Sequence, residues 1–119
     1  MAREKTILCV DDEHAVLSTM QLILSSAHYQ VLTAGTVPEA IAMVNAHRVD
    51  LILTDRLPER ELLVQEAKRA NPDTRILIHS GDLGSATSAA SEIPGVDGFL
   101  MKPVAPRDLL QRIAELLRG

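Results

Sequence analysis

The sequence predicts an α/β fold in which a parallel sheet is covered on both faces by helices, and three observations carry that expectation. Short apolar runs recur along all 119 residues and alternate with stretches of helical periodicity. That alternation is the signature of βαβ units joined by right-handed crossovers. The runs at 5–10 and 50–54 are apolar almost throughout, as strands buried on both faces are. Several runs also stop abruptly at a charged or hydroxyl residue, most sharply in Leu51-Ile52-Leu53-Thr54-Asp55.

Taken in order, residues 5–10 (Lys-Thr-Ile-Leu-Cys-Val) form a first strand that ends at Asp11-Asp12-Glu13. The helix that follows is expected to carry these acids in its first turn, where the helix dipole favours negative charge. Its apolar face is Val16, Leu17, Met20, Ile23, Leu24 and Ala27, at helical spacing. Residues 30–34 make the second strand. Thr36-Val37-Pro38-Glu39 then reads as a capping box with Pro at the first helical position, and Ala40, Ile41 and Val44 supply the buried side. Residues 50–54 are the third strand and 59–70 the helix after it, closed by Asn71-Pro72.

Residues 74–80 are the fourth strand, ending at Gly81. A helix over 83–93 has a body of small residues with little to bury, which makes it a low-stability, mobile element. Pro94-Gly95 turns the chain into a fifth strand over 98–101, followed by Lys102-Pro103. Pro106 opens a last helix with a stripe of Leu109, Leu110, Ile113, Leu116 and Leu117. The whole is a flavodoxin-like (βα)5 three-layer sandwich of strand order 2-1-3-4-5, one domain over 1–119, with strands one and three at the switch point where ligands bind.

Composition excludes several function classes. A formal charge of −4 with singly scattered Lys and Arg offers no basic stripe for nucleic acid, and two aromatic residues, Tyr29 and Phe99, offer no stacking platform. The single cysteine, Cys9, lies inside an apolar run and reads as a buried core thiol, so no internal disulfide forms and a reducing, cytoplasmic setting is expected. Neither a signal peptide nor a membrane span is evident. His14, His28, His47 and His79 are too scattered for a metal cluster. His79 is unusual beside Ser80, and strand alternation is expected to turn it away from the pocket.

Four of the five strands end in chemically useful groups: Asp11 and Asp12, Asp55, Ser80, and Lys102. In a parallel sheet these fall on one edge. Three carboxylates so close stay ionised only with a cation to offset them; Lys102 supplies one positive charge, and Mg²⁺ suits the remainder. Ser80 and the backbone N–H of Gly81 can donate to phosphoryl oxygens. This is chemistry for phosphoryl transfer onto a carboxylate, with Asp55 the nucleophile because it stands alone on the central strand and the Asp11-Asp12 pair suited to metal. There is no Gly-rich phosphate loop, so the phosphoryl donor comes from elsewhere.

With these residues in view, the chain resembles the response-regulator receiver domain of two-component signalling over essentially its whole length. The resemblance rests on Asp11-Asp12, Asp55, Ser80-Gly81, Phe99 three residues before Lys102, and Lys102-Pro103. It implies that Asp55 accepts a phosphoryl group from a sensor histidine kinase or phosphotransfer protein. It further implies that Asp11, Asp12 and Asp55 hold Mg²⁺ with the backbone carbonyl of Leu57, that Ser80 and Lys102 contact the phosphoryl group, and that Phe99 changes rotamer as the switch residue. A cis peptide before Pro103 is also implied. Such a domain is a regulatory phosphoacceptor rather than a turnover enzyme. Its output is a changed face formed by the fourth helix, fifth strand and fifth helix, presented to a second copy, an output domain or a partner protein.

One departure from the family pattern stands out. Pro58 follows Asp55 by three residues where the family usually has four, and no Gly occurs between Asp55 and Gly81, so the loop at 56–60 is shortened. Arg56 could then offer its guanidinium in partial substitution at the metal site. A second reading follows, a receiver-like interaction domain that has lost efficient phosphotransfer. A third, a small Mg²⁺-dependent phosphatase with Asp55 as covalent nucleophile, lacks a second Asp two residues downstream, where Leu57 stands.

Overall fold

The fold was analysed in a computed structural model, which describes residues 4–55, 59–80, 95–101 and 104–118, with Ser80 described by its backbone only. Five parallel strands, β1 (Thr6–Val10), β2 (Gln30–Ala34), β3 (Leu51–Thr54), β4 (Arg75–Ser80) and β5 (Gly98–Met101), form one sheet in the order β2-β1-β3-β4-β5. Four helices are described: α1 (His14–Ser26), α2 (Val37–Ala46), α3 (Arg60–Ala70) and α4 (Pro106–Arg118). The helix expected over 83–93 lies outside the described residues.

The chain steps from β1 out to β2 and then back across to β3, so right-handed crossovers put α1 on one face and α2 and α3 on the other. Side-chain alternation sorts the strand residues accordingly. Leu8, Val10, Ile52 and Ile76 pack under α2 and α3, whose Val44, Leu63 and Val64 meet them. Ile7, Cys9, Leu51, Leu53 and Leu77 pack under α1 and α4, against Leu17, Leu24, Leu109 and Ile113. Both faces of β1 and β3 are therefore buried, which is why their sequences are apolar without alternation. Each fully buried Leu or Ile contributes about 2 kcal/mol through removal of its surface from water.

Local chemistry sets the boundaries and corrects three of them. α1 starts at His14 rather than among the acids, and its first turn carries none. The reason is Asp11, whose Oδ1 accepts the Glu13 N–H at 2.8 Å and holds the three acids in a turn, leaving Glu13 as the cap. α2 is capped as the sequence suggests, with the Glu39 N–H donating to Thr36 Oγ1 at 3.2 Å. Because the helix already begins at Val37, however, Pro38 occupies its second position, where the backbone N–H would have no partner within the helix either. α3 begins at Arg60, with Glu59 as a left-handed cap at φ 66°. Gly95, at φ +91°, makes the turn into β5, where a Cβ would stand 3.0 Å from Val64 Cγ1. Among the described residues, no helix is long and apolar enough to cross a membrane.

Candidate functional site

The site is built by register. Strand pairing sets Cys9 beside Leu53 and Leu53 beside Leu77. The ladder continues past the strands: the Asp11 N–H donates to the Ala34 carbonyl at 3.1 Å and the Asp55 N–H to the Val10 carbonyl at 3.0 Å. The next row on the same face is therefore Asp11, Asp55 and His79, on three adjacent strands. All three line one small recess of about 10 Å³ at the carboxyl end of the sheet, walled below by Cys9, Leu53 and Met20.

Carboxylate oxygens of Asp11, Asp12 and Asp55 lie within 4.8 Å of one another. Asp11 is 4% exposed, Asp12 is exposed and Asp55 is half-buried, so the group opens to solvent on one side. Mg²⁺ is held by one or two carboxylates and keeps several waters, so acids gathered within 4.8 Å could share one ion directly or through its waters. Hard carboxylate oxygens are also the donors that this ion takes, and the residues fit it. The Thr54 hydroxyl donates to the Asp55 carbonyl at 3.1 Å and helps fix the strand end.

Beside this pocket, burial and then the Asp11 carboxylate push the Cys9 thiol up to about 12, so it stays a neutral core group at physiological pH. Phe99 is partly buried and pairs in register with Ile78. Ser80 ends β4, one step from the row of acids, with its backbone paired to Met101. The side chain of Ser80, together with Leu57, Arg56, Lys102 and the peptide before Pro103, lies outside the described residues.

His79 requires a correction. It does not turn away from the pocket but joins Asp11 and Asp55 in its wall, at 5% exposure. Alternation was the right rule applied to the wrong reference: the pocket lies on the face shared by Leu53 and Leu77, and Asp55 and His79 each stand two residues beyond those. The spacing Leu53-Thr54-Asp55 beside Leu77-Ile78-His79 is the signal that could have found it.

A doubly wound parallel sheet in which β1 and β3 end in a shared carboxylate pocket has that pocket at its topological switch point, where sheets of this kind bind their ligands. The chain belongs to the response regulator receiver domain family, whose model it matches over residues 7–114. It is 32% identical over 114 residues to the transcriptional regulatory protein GlrR of Escherichia coli, with 93% of this chain and 26% of that protein covered. It is 34% identical over 116 residues to the response regulator MprA of Mycobacterium leprae, covering 94% and 50%. The chain thus spans between about a quarter and a half of the length of these relatives. Among solved structures, a receiver domain protein described as CheY-like from Methanospirillum hungatei superposes with a TM-score of 0.87 at 34% identity, covering 98% of this chain and 95% of the other.

Proposed function

We propose that the chain is a receiver module in which Asp55 accepts a phosphoryl group from a histidine kinase or phosphotransfer protein of the cytoplasm. The observation that carries this reading is the gathering of Asp11, Asp12 and Asp55 carboxylates within 4.8 Å in a member of the receiver family. In the transfer, an Asp55 carboxylate oxygen forms a bond to phosphorus while the phosphorus–nitrogen bond of the donor phosphohistidine breaks, and the donor imidazole keeps the electron pair. Asp11 and Asp12, with the Leu57 carbonyl, would hold Mg²⁺, which when bound offsets the charge of the carboxylates and of the phosphoryl oxygens. Ser80 donates its hydroxyl and Lys102 its ammonium to those oxygens, positions that later allow water to release the phosphoryl group. Phe99 and the surface around β5 and α4 carry the switch outward to a second copy, an output domain or a partner.

A short connection from Asp55 to the α3 cap at Glu59 supports a second reading, an interaction domain that no longer takes up phosphoryl groups efficiently. Incubation with acetyl phosphate and Mg²⁺ followed by intact mass tests both. A gain of one phosphoryl group in the wild type, absent in Asp55→Asn, is the result expected of a phosphoacceptor; no gain in either leaves the interaction domain.

A further inference from the structure

The acids at the carboxyl ends of the strands have a counterpart at the other end of the sheet. The chain carries a formal charge of −4, yet a polar hollow of about 200 Å³ at the amino ends of the strands is lined by Lys5, Arg48 and Arg75. Register explains the gathering. The Gln30 N–H donates to the Lys5 carbonyl at 2.9 Å, so the ladder of β1 continues one residue ahead of the strand. Lys5 and Arg75 each stand two residues before a side chain buried on the face of α1 and α4, Ile7 and Leu77, and alternation turns them the same way. Arg48 comes just ahead of β3, the strand between theirs. Neighbouring strands lie about 4.8 Å apart, so the three cations enter from segments that span about 10 Å.

These cations differ in their company. Arg75 meets Asp97 at 3.5 Å. Lys5 and Arg48 are exposed and, among the described residues, form no ion pair. Two acids also line the hollow: Asp50, whose Oδ2 accepts the Thr6 N–H at 2.8 Å, and Asp73, which is exposed. Three cations against two carboxylates leave one net positive charge, beside an apolar wall of Leu116 and Leu117 from the last turn of α4. The space is many times what one water needs and admits a tetrahedral anion.

We propose that this hollow binds a phosphate group, free or as a monoester, with the Arg48 guanidinium and the Lys5 ammonium donating to its oxygens and Arg75 adding positive charge from the start of β4. A guanidinium offers phosphate two parallel N–H donors, and an ammonium adds a compact point charge. A dianion gains more than a monoanion from a pocket whose cations outnumber its acids. Asp73 works against the ligand and keeps its affinity modest. Bound there, the anion joins the starts of β1, β3 and β4 to the end of α4, at the pole of the sheet opposite the acceptor pocket.

Backbone ¹H–¹⁵N spectra titrated with inorganic phosphate at fixed pH and ionic strength, with chloride as the reference salt, test this. Saturable shifts at Thr6, Val49, Arg75, Leu116 and Leu117 are expected, with a Kd of about 1 mM. Arg48→Ala and Lys5→Ala remove exposed side chains, and each is expected to weaken binding about tenfold while leaving the urea midpoint in place. Asp73→Asn removes a like charge and is expected to tighten binding about threefold. Phenyl phosphate in the same titration distinguishes the sources: binding tighter than that of inorganic phosphate assigns the hollow to a monoester whose substituent lies on Leu116 and Leu117, and weaker binding assigns it to the free ion. Shifts that match those in chloride, that centre on Asp11 and Asp55, or that persist unchanged in Arg48→Ala overturn the proposal. So does weaker binding in Asp73→Asn, the result expected of a ligand held through a positive charge.

Discussion

At the amino ends of the strands Asp50 and Asp97 are tied into the backbone, whereas at the carboxyl ends of the same sheet Asp11, Asp12 and Asp55 lean toward one another. Asp50 Oδ2 accepts the Thr6 N–H at 2.8 Å and so joins β3 to β1. Asp97 Oδ2 accepts the Ile76 N–H at 2.8 Å, and the same carboxylate meets Lys68 Nζ at 3.4 Å and an Arg75 guanidinium nitrogen at 3.5 Å. Lys68 in turn donates to the Thr74 carbonyl at 2.5 Å. These acids hold strands in register, and cations stand beside Asp97. The three acids of the opposite rim gather their carboxylates within 4.8 Å, a like-charge cluster whose mutual repulsion a bound cation would offset. A carboxylate at a strand end is thus read by its company: a backbone donor from a neighbouring strand marks a fastener, other carboxylates mark a site.

The contrast is broken most severely at Asp97. Asp97→Ala removes the acceptor of a backbone N–H and the partner of two cations, and should cost about 3 kcal/mol in urea unfolding while leaving phosphoryl uptake by the folded protein unchanged. Asp50→Ala leaves the buried Thr6 N–H without its 2.8 Å acceptor and should cost about 2 kcal/mol by the same measurement. The smallest effect carries the opposite sign. Asp12→Asn relieves repulsion at an exposed position and should raise stability by about 0.5 kcal/mol in the absence of Mg²⁺. Its Mg²⁺ affinity, followed by calorimetry, should fall by about an order of magnitude. Loss of stability in Asp12→Asn would place that acid with the fasteners.

The fold was legible because its central strands are buried on both faces and its helices carry single apolar stripes, so period separates them. Asp11, Asp12 and Asp55 were legible for a related reason: each interrupts a run that would otherwise continue, and a charge at that point stands out. What the sequence concealed depends on contacts it does not spell. The start of α1 shifted because one carboxylate, that of Asp11, takes a backbone N–H two residues on, a local bond that competes with helix. His79 was misplaced because its facing depends on the register of β3 against β4, and a shift of one residue there reverses every side chain.

Backbone ¹H–¹⁵N spectra recorded with Mg²⁺ and beryllofluoride, in the wild type and in Asp55→Asn, test the division between the two rims most directly. The wild type should show shifts concentrated at residues 11–13, at Asp55 and at the ends of β4 and β5, with Thr6, Asp50, Ile76 and Asp97 unmoved and Asp55→Asn silent throughout. Spectra that stay unchanged, or shifts centred on Asp50 and Asp97, would contradict it.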